Sequence, residues 1–294
     1  MEKKTIGFVG LGLMGNGMAK NLLSDGFSVV GFDIDKIKID PIIELGGQCI
    51  DAPEHLASQV DVIILSLPNS HVVNNVVKEF LKLFESGRKD LILIDTTTAD
   101  PIMSETLATR LRENGIEMLD ATLSGTSKMC AEKDVVFMVG GKEKIFKECE
   151  SLFSAMGKQT FYMGKNGTGA LIKLIHNLVL GLNRMALAEG LSLGKRAGFD
   201  QRRLLEVLKN SGAYSKAMDM KGTRMIEKDF LPAGGKLAFH LKDVFLMLDL
   251  GKQLNFPLPL TSLHAQALTS QVAKGKGEWD NSAIISFYED LADI

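Results

Sequence analysis

The sequence predicts an α/β protein: a doubly wound, mostly parallel sheet in the N-terminal part and an all-helical C-terminal part. Three observations predict it. As far as residue 163, short apolar runs alternate with stretches of helical spacing. The first of these runs feeds a glycine-rich turn. Beyond residue 163 strand signals stop and helical spacing takes over.

The opening run Ile6-Gly7-Phe8-Val9 leads into Gly10-Leu11-Gly12-Leu13-Met14-Gly15, a G-x-G-x-x-G turn. Its glycines keep the turn tight, let backbone approach a pyrophosphate, and let the next helix pack close to its strand. The phosphate charge then rests on free N–H groups at the helix N-terminus. Residues 16–24 read as that helix, Asp25-Gly26 breaks it, and residues 27–32 read as a second strand ending at Asp33. Asp33 stands eighteen positions after Gly15, where a dinucleotide fold places the carboxylate that accepts the adenosine ribose hydroxyls. The same carboxylate repels a 2′-phosphate, so NAD is expected as cofactor and NADP as the weaker one. This context predicts a Rossmann-type domain over residues 1–163, and the helical spacing beyond it predicts a separate all-helical domain over residues 164–294.

The later strands follow the same pattern. Residues 62–67 run into Pro68-Asn69, 91–94 into Asp95-Thr96-Thr97-Thr98, and 118–120 into Ala121-Thr122-Leu123-Ser124-Gly125; 135–139 precede Gly140-Gly141. Parallel sheets bind ligands beyond the C-terminal ends of their strands. Asp33, Pro68-Asn69, Thr96 to Thr98 and Ser124 to Thr126 are all expected there. In the second part, helices are expected over 170–196, 202–210, 215–227, 236–254 and 260–274, punctuated by Ala197-Gly198 and the Pro257/Pro259 break.

Composition narrows the function classes. With 45% hydrophobic and 24% charged residues and a formal net charge of −2, the chain is globular in type and has no basic surface for nucleic acid. No membrane span is expected, since the apolar stretch after Gly167 is interrupted by Lys173, His176 and Asn177. Met1-Glu2-Lys3-Lys4 runs straight into the first strand, so a cytoplasmic protein without a signal peptide is expected. Cys49, Cys130 and Cys149 share no metal-ligand spacing and are expected as reduced thiols, with no metal site. His55, His71, His240 and His264 lie in separate polar contexts and read as structural or surface residues. Trp279 reads as a packing anchor.

Lys173 and Asn177 stand four apart on the long helix, on one face, with His176 and Arg184 in nearly the same sector. Such a stripe is either a solvated helix face or a cluster bordering a cleft. Gly167-Thr168-Gly169 just before it, and its place at the end of the nucleotide domain, favour the cleft.

Taken together the motifs resemble those of the β-hydroxyacid dehydrogenase family, which includes 3-hydroxyisobutyrate dehydrogenases and tartronate semialdehyde reductases. The resemblance spans nearly the whole chain. It rests on the segment from Gly7 to Gly15 with Met18-Ala19-Lys20-Asn21-Leu22, on Leu67-Pro68-Asn69, on Asp95-Thr96-Thr97-Thr98 and on Asp120 to Gly125. It continues through Phe137-Met138-Val139-Gly140-Gly141, Gly167-x-Gly169 with Lys173 and Asn177, and Leu241-Lys242-Asp243. The resemblance implies that Lys173 exchanges a proton with the substrate hydroxyl while hydride passes to the nicotinamide. Burial and a positive nicotinamide would lower the lysine's pKa into a useful range. Asn177 would hold the hydroxyl or carboxylate in line, and Ser124, Gly125 and Thr126 would bind the carboxylate by hydroxyl and backbone N–H donors. Leu67, Pro68, Asn69 and Thr98 would line the nicotinamide and ribose end of the cofactor groove, and Lys242 would close over the cofactor. The implied substrate is a small carboxylate, and the implied assembly a homodimer or homotetramer.

Departures leave other readings open. Family members commonly read Asp-Ala-Pro-Val-Ser-Gly-Gly at the substrate loop, where this chain reads Asp120-Ala121-Thr122-Leu123-Ser124-Gly125-Thr126-Ser127-Lys128. Sulfolactaldehyde reductases also have Thr-Ser here, but after an arginine where this chain has Gly125. Lys128 is either a second cation for a doubly anionic substrate or a solvated lysine. Imine reductases are similar over most of the chain but usually lack a lysine at the position of Lys173, as do the family's non-catalytic NAD-binding modules.

Overall fold

A computed structural model describes residues 4–84 and 91–294. The chain divides into two compact units after Lys173, each with its own core.

The first unit is built on an eight-stranded sheet in the order β3-β2-β1-β4-β5-β6-β7-β8. The strands are β1 (Thr5–Val9), β2 (Ser28–Phe32), β3 (Gln48–Cys49), β4 (Val62–Leu65), β5 (Ile92–Asp95), β6 (Glu117–Ser124), β7 (Val136–Gly141) and β8 (Gln159–Gly164). Every pairing is parallel except β6 with β7. The helices of this unit are α1 (Leu13–Ser24), α2 (Asp40–Ile43), α3 (Leu56–Gln59), α4 (Ser70–Phe84), α5 (Pro101–Glu113), α6 (Ser127–Ala131), α7 (Glu143–Glu148) and α8 (Glu150–Met156).

Alternation along the central strands explains the two covered faces. Ile6, Phe8, Val62, Ile64, Ile92 and Ile94 enter one apolar cluster, while Val9, Ile63, Leu65 and Leu93 enter another. Successive side chains point to opposite faces, and a strand buried on both reads as a continuous apolar run. That is why these strands stand out in the sequence. Chain order reverses at the β1/β4 junction, the switch point where such sheets open a ligand crevice.

Some elements differ from expectation. β6 is eight residues long rather than three, and continues through Ala121, Thr122 and Leu123 as an antiparallel partner of β7. Thr122 stood beyond the expected strand end at Asp120, but it lies within the strand and its hydroxyl donates to Gly169 O at 2.7 Å. β3 and β8 gave no sequence signal: β3 is two residues, and β8 is mostly exposed or half-buried and so carries no apolar run.

The helix α9 (Thr168–Arg196) is continuous across the point of division. Its first turn is bonded to the sheet, which assigns it to the first unit. Contrary to expectation, α9 is long and apolar enough to cross a membrane by length and composition alone, and 33% of the qualifying window is buried within the fold. The second unit continues with α10 (Gln201–Lys209), α11 (Lys216–Glu227), α12 (Leu237–Gln253), α13 (Pro259–Gln271) and α14 (Ile285–Ala292). Its core includes Leu174, Leu187, Leu191, Met225, Leu237 and Val244, with Trp279 packed against it and stacked on Phe230 at 5.4 Å.

Candidate active site

The glycine-rich turn has the geometry of an anion cradle. Gly10 has φ +93°, and a Cβ there would stand 2.3 Å from Ser66 O. A Cβ on Gly15 would stand 2.0 Å from Gly10 O. Both glycines are required by the protein itself. Gly12 is different, since a Cβ there would meet nothing within 4 Å. Gly12 is also the N-cap of α1 and supplies no side-chain cap, so the first N–H groups of this twelve-residue helix face an open approach. A dinucleotide pyrophosphate fits that arrangement of open backbone and positive helix end. Leu13 beside it is exposed, and Met14 packs against the core.

Asp33 ties the turn to the end of β2. One of its carboxylate oxygens accepts from Leu11 N at 2.7 Å and the other from Asp35 N at 2.8 Å. Each oxygen keeps a lone pair for a further donor, such as a ribose hydroxyl. Lys38 Nζ lies 3.7 Å from Asp33 and 3.5 Å from Asp35.

At the ends of β4 and β5, Leu67 N donates to Thr97 Oγ1 at 3.1 Å, and Thr96 Oγ1 donates to Leu65 O at 2.7 Å. Asn69 accepts from Val72 N at 3.0 Å, opening α4. Pro68 is exposed and Thr98 half-buried. These bonds knit the Leu67-Pro68-Asn69 and Thr96-to-Thr98 segments into one polar rim.

β6 delivers the next group. Ser124, Gly125 and Thr126 are half-buried where the strand ends, and Gly125 has φ +152°. Thr126 caps α6, its Oγ1 accepting from Met129 N at 3.2 Å. Lys173 Nζ donates to Leu123 O at 2.6 Å, which brings the ammonium to the residue preceding Ser124. The anchor behind it is Asp120, whose two oxygens accept from Gly167 N and Ala170 N at 2.9 and 3.0 Å. Asp120 opens the Asp120-to-Gly125 segment, yet nothing in its spacing revealed this task. Beside it in register is Asp95, wholly buried, whose carboxyl is pushed up to about 7 by desolvation against the bond from Thr97.

Within the second unit, Asn177 Nδ2 donates to Asp243 Oδ2 at 3.0 Å and Asn177 Oδ1 lies 3.0 Å from His176 Nδ1. Lys242 Nζ stands 3.1 Å from Asp243 Oδ1. Two sequence expectations change here. Arg184 is not part of an open stripe: it is 4% exposed, and burial pushes its guanidinium down to about 10 against the pull of Asp280 and Asp243. His240 and His264 do not stand in separate contexts; their buried rings lie 5.1 Å apart. Both press on Gly181 of α9, where a Cβ would come within 2.6 Å of His240 Nε2 and 2.7 Å of His264 Cε1. Lys128 is 83% exposed, 4.0 Å from Glu132.

Comparison with known proteins bears on this geometry. Residues 5–164 match the family model of the NAD-binding domain of 6-phosphogluconate dehydrogenase. Residues 167–288 match that described as the NAD-binding of NADP-dependent 3-hydroxyisobutyrate dehydrogenase. The chain is 32% identical to the 2-(hydroxymethyl)glutarate dehydrogenase of Eubacterium barkeri, covering 100% of this chain and 98% of that protein. It is 30% identical to the 2-hydroxy-3-oxopropionate reductase of Escherichia coli, with 98% of each covered. Among solved structures, the 3-hydroxyisobutyrate dehydrogenase of Mycobacterium tuberculosis with L-serine superposes with a TM-score of 0.88 at 27% identity, over 97% of this chain and 98% of that one. The chain belongs to the β-hydroxyacid dehydrogenase family, that of the 3-hydroxyisobutyrate dehydrogenases and 2-hydroxy-3-oxopropionate reductases.

Proposed function

We propose that the protein interconverts a small 3-hydroxy acid and its semialdehyde with NAD as hydride carrier, Lys173 giving or taking the hydroxyl proton. The observation that carries this reading is the 2.6 Å bond from Lys173 Nζ to Leu123 O. It holds an ammonium next to the hydroxyl and N–H donors of Ser124, Gly125 and Thr126, an arrangement suited to a carboxylate beside a reacting oxygen. Bound NADH supplies the hydride for the carbonyl carbon, and the protein supplies the rest. Ser124, Gly125 and Thr126 hold the carboxylate, Lys173 protonates the developing alkoxide, and Asn177, one turn on, orients it. In the oxidative direction Lys173 takes the hydroxyl proton.

The cofactor is assigned to Gly10, Gly12, Leu13, Met14, Gly15 and Asp33 at the adenosine and pyrophosphate end. Leu67, Pro68, Asn69 and Thr98 take the nicotinamide end, and Lys242 adds a further cation. Functionally the division runs between residues 1–163 and 164–294. We assign the enzyme to the cytoplasm as a homodimer or homotetramer; exposed Ile175, Val179, Phe245, Phe256 and Leu260 on the helical unit support self-association. Light scattering that gives a monomer would overturn the assembly.

The deciding experiment follows NADH oxidation by wild type and Lys173→Ala across the semialdehydes of tartronate, methylmalonate and succinate, and sulfolactaldehyde, with 2-(hydroxymethyl)glutarate oxidised by NAD. One acid should turn over quickly, and the variant should lose about 10³-fold in kcat while still binding NADH. Activity surviving in Lys173→Ala would remove the lysine from its role. Turnover of imines alone would replace the reaction class. A dicarboxylic substrate is the second reading, favoured by the likeness to 2-(hydroxymethyl)glutarate dehydrogenase, with Lys128, two positions past Thr126, as the second cation. Lys128→Ala should then raise KM for the dicarboxylate alone.

A further inference from the structure

We propose that Asp243 is a positioning residue that fixes the side-chain amide of Asn177. The assignment rests on the reading of Asn177 as the group that orients the substrate oxygen.

An asparagine amide has a donor end and an acceptor end of nearly equal shape, and half a turn about its last torsion exchanges them. Only the neighbours decide which end faces the ligand. Here Nδ2 donates to Asp243 Oδ2 at 3.0 Å, while Oδ1 stands 3.0 Å from His176 Nδ1. An ionised carboxylate accepts and cannot donate, so it holds the NH₂ end toward α12 and forbids the flipped amide. One N–H and one lone pair of Asn177 then remain in fixed directions for a substrate.

The carboxylate is itself held. Asp243 is 9% exposed on α12, with Lys242 Nζ 3.1 Å from its other oxygen. The buried guanidinium of Arg184, on the same helix as Asn177, attracts it across the core. A charge-assisted bond in such a desolvated setting is strong enough to set a rotamer. The competing explanation is that Asp243 merely balances the buried Arg184 and acts on stability alone.

A double-mutant cycle and a spectrum separate the two. Asp243→Asn keeps the size but can present a donor, so it permits the flipped amide. With saturating NADH and 2-hydroxy-3-oxopropionate as probe, it should lower kcat about tenfold. In an Asn177→Ala background the same change should cost less than about twofold, because its route is gone. Asp249→Asn, an exposed carboxylate on the same helix, should change neither. The second readout needs no turnover. In ¹⁵N spectra of the full chain, the Asn177 amide pair, identified by its loss in Asn177→Ala, should be widely split in wild type and should collapse in Asp243→Asn and Asp243→Ala. Equal losses in both backgrounds, or an unchanged Asn177 pair, would overturn the proposal. A wild type inactive on every acid would count against the proposed function, and the spectrum alone would then decide Asp243.

Discussion

Gly12 and Gly15, three residues apart in one turn, answer to different masters. A Cβ on Gly15 would collide with the Gly10 carbonyl at 2.0 Å, whereas one on Gly12 meets nothing within 4 Å. Gly15→Ala must move backbone and should lower stability by about 1–3 kcal/mol. Gly12→Ala changes only an N-cap and should cost under about 1 kcal/mol. It should nevertheless weaken NADH binding about tenfold or more, because its methyl occupies the path of the pyrophosphate. Thermal melts with NADH titrations test the contrast; matching losses of Tm in the two variants would mean that packing holds Gly12 as well. At Asp33 the same scale sets cofactor choice. Lys38 lies 3.7 Å from that carboxylate. Asp33→Ser should remove the repulsion of a 2′-phosphate, release Lys38 toward it, and move the preference from NADH toward NADPH. An unchanged ratio of kcat/KM for the two would show that Asp33 does not set it.

At the scale of elements, the decisive join is between β6 and the first turn of α9. Asp120 accepts two N–H groups from the stretch leading into that helix, Thr122 bonds Gly169 O, and Lys173 reaches Leu123 O. A Cβ on Gly169 would stand 2.2 Å from Asp120 O and 2.7 Å from Met138 O. Gly169→Ala should therefore push the helix start off the sheet and lower kcat about 10²-fold, though it touches no reacting atom. Intact activity with an unchanged melt would show that the join yields at no cost. This join was the part hardest to see in the sequence. Strands such as β4 and β5 were legible because both of their faces are buried, which leaves unbroken apolar runs. Lys173 and Asn177 were legible as a pair because helical spacing alone stacks them. Asp120 and Thr122 were not, since their partners are backbone atoms about fifty positions away, and a polar residue in a short apolar run looks like a strand end. The burial of Arg184 and the pairing of His240 with His264 were missed for a related reason. Each is polar in the sequence, and only the packing of α9 against α12 and α13 shows that they are enclosed.

For the whole molecule, two buried titrations on separate units run in opposite directions. Burial raises Asp95 from 3.8 to about 7 in the first unit. The folded state therefore holds a proton that the unfolded chain releases, and stability present below pH 3.8 is lost as pH rises through 7. Burial, with Arg184 adding, lowers His264 from 6.5 to about 4 in the second unit. There the unfolded chain binds the proton first, so stability present above pH 6.5 is lost as pH falls through 4. At 1.36 kcal/mol per pK unit, full titration weighs about 4 kcal/mol for Asp95 and about 3 kcal/mol for His264. Between those limits the two nearly cancel in the total while each unit shifts on its own. Asp95→Asn mimics the protonated carboxyl and keeps the Oδ1 acceptor that Thr97 N uses. It should leave stability near wild type at about pH 4 and gain several kcal/mol by about pH 8, with the gain confined to the first unit's share of a calorimetric transition. His264→Gln should show the mirror pattern, matching wild type at about pH 8 and exceeding it as the pH falls toward 4. A gain from Asp95→Asn that is the same at every pH would mean that the carboxyl does not titrate in this window, and that the two units do not oppose one another.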